Sequence, residues 1–512
     1  MPKKQIFINM LSNIFNFVIS LGISFFFTPY LISTVGKEAY GFTTLAFNFT
    51  SYILIITSAL NSMAARFITI KIYENEDETA EVYFNTVLFT NIVMSVLISI
   101  IFAFIVLFLD KILNIPINII GSVKILFSAI FSASIIGLCF SVFGVATFCR
   151  NRIDLRSVTS IIQSLVRVIL LILFFTVFKP NVAYIGITIF ILAIIDVIFN
   201  IFFTKKLLPQ IKINKNKFDK NVIIILVGAG VWNSFSQLSA VLLTGLDLLI
   251  ANIFLGPSAM ALLAIVKTLP NFITSFTTVI SSSFTPQFTI LYAKKDYQGL
   301  LKEIMFSVKA MGLVISIPVA SFVAYGDVFY KLWLPGQNYK LLQILSIITI
   351  GVIFISGSII PLYDIFTITN KLKLTSLTLL LTGIFSFSVT FILLKTTALP
   401  GIFLIAGVST FFIMIREIIF IPSYAAHCLN LKWNTFYSNI FKTFLSTVLI
   451  IFIFFIPRLF FNINTWLLLL TFSVIGGFLG LIINIHIILD KSEQQKIYKI
   501  IKRKLPSIML RR

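Results

Sequence analysis

The stretch VYFNTVLFTNIVMSVLISIIFAFIVLFL, Val82 to Leu109, contains no charged residue. As a helix rising 1.5 Å per residue it is about 42 Å long, more than the ~30 Å hydrocarbon core of a bilayer requires. Lipid offers no partner to a backbone amide or carbonyl, so a spanning segment must be a helix or part of a closed barrel. The ten-residue alternation of a barrel is absent, which leaves the helix. The run is bounded by Glu74–Glu81, with five acids in eight residues, and by Asp110-Lys111. The same reading extends to both ends of the chain.

Of the 512 residues, 58% are hydrophobic and 11% are charged. A soluble domain carries roughly 25% charged residues to wet its surface, so this composition describes an integral membrane protein. Breaks at charged or Pro/Gly/Asn-rich points predict fourteen spans, near 6–32, 40–65, 82–109, 117–148, 157–178, 183–204, 222–254, 259–291, 302–326, 341–368, 374–394, 400–425, 438–457 and 464–489. Lys3-Lys4 before the first run resembles a signal peptide, but no small-x-small cleavage site follows, and the run is read as span 1. An even count places both termini on one side. The loops on that side hold 27 Lys and Arg, those on the other side 7. By the positive-inside rule both termini are cytoplasmic. The net charge of +22 is therefore topology information and does not point to nucleic acid. Cys139, Cys149 and Cys428, with His427 and His486, show no ligand spacing, so no disulfide, metal site or cofactor is expected.

The chain repeats itself. At an offset of 220, Gly36 meets Gly256, Ala39 meets Ala259, Thr57 meets Thr277, Ser62 meets Ser282 and Lys111 meets Lys331. After a one-residue slip, Asn151 meets Asn370, Arg152 meets Lys371 and Ser157 meets Ser376; Gly186 later meets Gly401. Six spans separate the copies, so both face the same way, and such repeats are related by a pseudo-twofold axis along the membrane normal. The expected organisation is an all-α membrane protein with a first lobe at 1–208 (spans 1–6), a basic linker at 209–220 and a second lobe at 221–430 (spans 7–12). Two additional helices at 431–489 and a basic tail at 490–512 follow. The eight basic residues of Lys491–Arg512 suit a helix lying on anionic lipid.

The stretch from Thr28-Pro29-Tyr30 through Gly36-Lys37-Glu38-Ala39-Tyr40-Gly41 resembles the first helix end and outer turn of the polysaccharide flippases. These belong to the multidrug/oligosaccharidyl-lipid/polysaccharide exporter superfamily. Asp247-Leu248-Leu249-Ile250 leading to Leu255-Gly256 resembles their seventh-helix end, and Arg416-Glu417-Ile418 through Ala425-Ala426 the end of their twelfth. The resemblance is a diffuse profile over essentially the whole chain. It implies a flippase that moves an undecaprenyl-diphosphate-linked oligosaccharide across the bacterial cytoplasmic membrane by alternating access of two lobes. The glycan polymerase and glycosyltransferases of the pathway would be its partners, and spans 13 and 14 would border a groove for the lipid tail.

A charge at mid-bilayer costs ~2.5–3.5 kcal/mol on insertion scales, so each one is a functional candidate. Lys267 lies about eight residues, or ~12 Å, into span 8, too deep to snorkel easily, where an ammonium could meet a diphosphate or acidic sugar, with a structural ion pair to Asp247 on span 7 as the other reading. Arg167 in span 5 and Asp196 in span 6 suggest an ion pair, with a cavity role for Arg167 as the other reading. Arg66 is placed at the cytoplasmic mouth of span 2, and Lys124 near the outer end of span 4. Asp247, Asp196 and Asp364 are candidates for coupling to a proton or sodium gradient. Arg416 and Glu417 are adjacent, about 100° apart on a helix, and are not expected to pair. Pro29, Pro270, Pro286, Pro318, Pro361 and Pro422 interrupt or flank spans and predict kinks.

Two alternatives stand beside the flippase. A multidrug or cation exporter of the same superfamily usually has twelve spans, against which the two extra helices and Lys267 count. A membrane glycosyltransferase or polymerase would need catalytic groups on sizeable outer loops. Those loops are short here, and there is no phosphate-binding Gly-rich loop and no Ser-His-Asp set, so an enzyme is not expected. Lys267→Ala is expected to abolish or severely reduce surface glycan at unchanged expression, measured by immunoblots of glycan and protein; normal display removes Lys267 from the mechanism.

Overall fold

The computed structural model describes residues 3–495. Residues 496–512, which carry most of the basic tail, lie outside them. Among the described residues every regular element is helical, and fourteen helical segments are long and apolar enough to cross a membrane. They are Leu11–Val35, Lys37–Tyr73, Asp77–Leu107, Ile117–Cys139, Ile153–Val177, Ala183–Leu207 and Lys220–Leu255 for spans 1 to 7. Spans 8 to 14 are Pro257–Tyr292, Tyr297–Trp333, Tyr339–Ser356, Leu372–Thr396, Gly401–Cys428, Tyr437–Phe460 and Trp466–Ile488. Each predicted span has its counterpart.

The repeat is written in the backbone. Gly36 and Gly256, 220 apart, both turn with φ near +90° (91° and 89°) between consecutive spans. That conformation suits glycine because it has no Cβ. Asn75 and Lys295, also 220 apart, have φ of 61° and 58°; Asn151 and Asn370, 219 apart, have 52° and 55°. Each of these four ends a helix in the same way. The left-handed residue donates to the carbonyl three residues back and its successor to the carbonyl five back: Asn75 to Ile72 and Glu76 to Lys71, Lys295 to Tyr292 and Asp296 to Leu291, Asn151 to Phe148 and Arg152 to Thr147, Asn370 to Thr367 and Lys371 to Phe366. This satisfies carbonyls that the helix end would otherwise orphan.

Two predicted spans are broken. Span 4 stops at Cys139, passes through a 3₁₀ turn at Ser141–Gly144 and resumes as Val145–Cys149. Span 10 stops at Ser356 and resumes at Leu362–Ile368, after Gly357 and Pro361. Both breaks fall at the same place in the repeat. Spans 7 and 12 each contain a π-turn, Val241–Gly245 and Arg416–Phe420. Pro286 and Pro422 begin helical segments just after such irregularities, whereas Pro29, Pro270 and Pro318 are accommodated inside continuous helices.

The chain forms two compact units, Met1–Ala264 with Ser376–Ile405, and Ile265–Thr375 with Ala406–Arg512. In the first, span 7 lies directly on span 2: a Cβ at Gly230 would stand 1.9 Å from the Ala59 carbonyl oxygen. Span 11 reaches span 7 through Gly383, whose added Cβ would meet Leu242 at 3.0 Å and the Ser239 carbonyl at 3.1 Å. Small residues allow this approach where lipid supplies no hydrophobic drive between helices.

In the second unit, spans 13 and 14 pack on span 9. Fully buried Asn484 donates to the Leu313 carbonyl at 3.0 Å and the Ser316 hydroxyl at 2.6 Å, and accepts from Ser446 at 2.6 Å, so one amide ties three helices together. Interhelical bonds of this kind average about 0.6 kcal/mol each in membranes.

Gly230→Ala is expected to lower the thermal stability of the detergent-purified protein, by about 1–3 kcal/mol in unfolding free energy, because backbone has to move. Gly228→Ala, where nothing lies within 4 Å of the new Cβ, is the control and should melt as the native protein does.

Candidate functional site

The break in span 4 opens a polar cavity of about 530 Å³ inside the first unit. Asn61 from span 2, Ser141 from the break, Arg156 and Gln163 from span 5, and Asp196 and Asn200 from span 6 line it. Hydrogen bonds hold the wall in place. Asn61 and Asn91 exchange amide bonds of 3.2 and 2.8 Å, and Ser141 donates to Asn61 at 3.0 Å. Ser141 in turn accepts from Asn91 at 3.0 Å.

Asp196 accepts from Gln163 Nε2 at 2.9 Å and from Asn200 Nδ2 at 2.8 Å. The expected Arg167–Asp196 ion pair is therefore not formed: Gln163, one helical turn before Arg167, takes the carboxylate instead. Arg167 is partly buried and its Nε finds no acceptor. The result is a carboxylate oriented by two neutral amides, with no cation bonded to it among the described residues. Such a group can take up a proton or a monovalent cation.

The other predicted residues lie on several different helices. Asp247 is buried, two residues past the π-turn of span 7, where the Gly245 carbonyl accepts from Asn48 at 3.1 Å and from Tyr52 at 2.5 Å. Lys267 is half-buried in the helix Pro257–Ser281, one turn before Pro270. Arg66 is exposed on span 2, which runs two further turns to Tyr73 rather than ending at the arginine. Lys124 is engaged by Asp110 at 2.6 Å, an ion pair across the loop joining spans 3 and 4. Asp364, in Leu362–Ile368, accepts from the Thr285 hydroxyl at 2.8 Å.

Two charge clusters escaped the sequence reading. Arg416 and Glu417, expected not to pair, do so: Nη1 lies 3.0 Å from Oε1, with both side chains 5% exposed. They sit in the π-turn, and their long side chains converge on Tyr363, whose hydroxyl donates to Glu417 and accepts from Arg416 Nη1 at 3.0 Å. Adjacent positions were judged by the angle of an α-helix, which the turn does not have. The second cluster is Lys309 in span 9, only 7% exposed, held by Asp490 at 2.5 Å and Glu493 at 2.9 Å just beyond span 14. Its signal in sequence was a lysine inside an apolar span with no acid within one helical turn of it.

Spans 13 and 14 carry an apolar groove of about 690 Å³. It runs along span 13 from Leu449 to Leu459, about 15 Å of helix, and is completed by Ile482, Ile483 and Ile487. Arg458 and His486 are its ionisable lining residues. No group of three or more His, Cys, Asp or Glu side chains among the described residues is placed to hold a metal ion.

Residues 3–292, more than half of the chain, match the family described as polysaccharide biosynthesis protein. EpsK of Bacillus subtilis strain 168, an uncharacterized membrane protein, is 27% identical over 497 residues, 96% of this chain and 97% of EpsK. Among solved structures, the lipid II flippase MurJ in an inward closed conformation aligns over 93% of this chain and 97% of its own, at a TM-score of 0.59 and 12% identity. The MATE multidrug transporter DinF-BH aligns over 84% and 97%, at 0.64 and 18%. The fold is that of these two proteins.

Lys309 and Asp490 allow a test by pH. The hydrogen bond from Lys309 holds the Asp490 carboxyl below the usual carboxylate range. A depressed carboxylate stabilises the fold above its unfolded-state pKa, and that contribution is lost as pH falls through the folded value. Asp490→Asn should melt below the native protein at pH 7, and the gap should close only when pH drops below ~3.9, read by melting curves across that range.

Proposed function

The chain belongs to the polysaccharide biosynthesis protein family, and from that premise we propose that it is a flippase for a lipid-linked oligosaccharide. In this reading it carries an undecaprenyl-diphosphate-linked glycan from the cytoplasmic to the outer leaflet of the bacterial cytoplasmic membrane, for surface polysaccharide assembly. The observation that carries the proposal is the groove on spans 13 and 14. A long isoprenoid chain is hydrocarbon throughout, and the groove offers it a lining mostly of Leu, Ile and Phe extending about 15 Å along span 13. These two helices lie outside the six-plus-six repeat, so a twelve-span core has no need of them.

The remaining roles follow from the chemistry of the groups. The two repeat halves, 1–208 and 221–430, joined by the basic linker 209–220, are the moving parts, with both termini cytoplasmic. Lys267 meets the diphosphate as a point charge, with Arg66, Arg167 and Lys124 as secondary cationic contacts. Asp196, held by two neutral amides in a polar cavity, is the best placed of the three aspartates to exchange a coupling cation; Asp247 and Asp364 are the others. The protein moves its substrate without making or breaking covalent bonds, and glycosyltransferases and a polymerase of the same pathway act before and after it. Membrane lipid surrounds it, and neither cofactor nor nucleic acid takes part.

The rival is a multidrug exporter, favoured by the DinF-BH superposition. Filling the groove separates the two. Leu449→Trp combined with Ile456→Trp is expected to cut surface polysaccharide about tenfold, the equivalent of ~1.4 kcal/mol, at constant protein level. Drug susceptibility should not change. Unaltered glycan together with altered drug resistance would replace the flippase by the exporter.

A further inference from the structure

We propose that Glu417 is a proton-binding site and that the π-turn carrying it is the element the proton moves. The proposal goes beyond the flippase reading and needs only that the chain changes conformation.

The cluster is a closed, buried ion pair with one place left over. Glu417 Oε1 accepts from Tyr363 and lies 3.0 Å from Arg416 Nη1. Arg416 Nη2 reaches the Thr375 carbonyl at 3.4 Å. Glu417 Oε2 and Arg416 Nε are buried and have no partner. Leaving a buried carboxylate oxygen unsatisfied costs free energy, and in native proteins such an atom calls for an explanation. Oε2 is the only atom of the pair with unused capacity to accept, which makes it the landing point for a proton.

The groups around Glu417 leave few other candidates. Its own turn supplies Arg416, and the helix Leu362–Ile368 supplies Tyr363. Asp364 on that helix is committed to Thr285 at 2.8 Å. The packed helix Tyr339–Ser356 has no titratable side chain after Lys340. On Ile421–Cys428, Tyr424 donates to the Lys371 carbonyl at 3.3 Å and His427 stacks on Tyr424 at 6.1 Å.

In the proton step a hydronium ion gives its proton to Oε2, water leaves, and the carboxylate becomes the neutral acid. The buried pair, neutral before, then carries one uncompensated positive charge on Arg416. A broken buried pair is strongly unfavourable, whereas an intact one is close to neutral in stability. The closed cluster therefore favours its own opening once protonated. Both partners sit where helices can re-register: the π-turn holds one residue more than an α-turn, with Pro422 directly after it, and Tyr363 follows the break at Gly357–Pro361. Converting the π-turn to α-helix would shift Ile421–Cys428 by about 1.5 Å and rotate it by about 100°.

Cys428, 6% exposed, reports that shift. The test uses the full chain in phospholipid vesicles with Cys139 and Cys149 replaced by serine. N-ethylmaleimide labelling of Cys428 is measured from pH 8 to pH 5 relative to detergent-unfolded protein at the same pH, which cancels the thiol's own titration. The relative rate is expected to rise about tenfold toward pH 5. Glu417→Gln should label at the high rate throughout, and Tyr363→Phe, which removes a donor to the charged form, should move the midpoint to higher pH. A pH response unchanged in Glu417→Gln, or a midpoint unmoved in Tyr363→Phe, overturns the proposal. No substrate is present, so either failure leaves the nature of the carried molecule open.

Discussion

Every carbonyl and amide that enters hydrocarbon has to find a partner inside the protein, and this single requirement organises the molecule. It makes each crossing a helix, and it makes each departure from the α-helix informative, because a departure survives only where side chains or a polar cavity take over the freed groups. The departures are few. The 3₁₀ turn at Ser141–Gly144 opens onto a cavity walled by amides, and Ser141 itself bonds Asn61. At the π-turn of span 7, Asn48 and Tyr52 from span 2 take the Gly245 carbonyl. At the π-turn of span 12 the Arg416–Glu417 pair is found. Polar side chains gather at each of these three irregularities.

Polar side chains within the units are handled by two different means. Around the cavity of the first unit neutral amides supply the hydrogen bonds: Asn61 and Asn91 bond each other, and Gln163 and Asn200 bond the Asp196 carboxylate. In the second unit full charges are paired, Arg416 with Glu417, Lys309 with Asp490 and Glu493, and Arg458 with Asp327 at 2.6 Å. The amide arrangement bonds the Asp196 carboxylate to neutral donors. Among the ion pairs, Lys309 with Asp490 and Glu493 ties span 9 to the end of span 14, and Arg458 with Asp327 ties span 13 to span 9.

Much of the fold was legible in the sequence because hydropathy and loop charge are local properties. The number of spans needed nothing beyond neighbouring residues and the offset of 220 only a comparison of the chain with itself, and Gly36 and Gly256 confirm the register with nearly identical positive φ. What escaped is non-local. Asp196 could have met either Gln163 or Arg167, both one turn apart on the facing helix, and only the packing of spans 5 and 6 selects the amide. Arg416 and Glu417 were judged with α-helical angles, and the π-turn that invalidates those angles follows from tertiary packing. Lys309 finds its acids some 180 residues further along the chain, a distance no periodicity reports.

The matching helix ends at Asn75 and Lys295 carry a topological consequence. Lysine is an uncommon occupant of the left-handed region, yet the backbone there has kept the shape its counterpart adopts with asparagine. Backbone shape is thus shared between two places where side-chain identity is not. A set of six crossings begins and ends on the same face, so a second like-facing set can follow it through a short connection with no re-threading through the bilayer. Tyr437–Phe460 with Trp466–Ile488 is a further pair of crossings, and a pair returns the chain to the face it left.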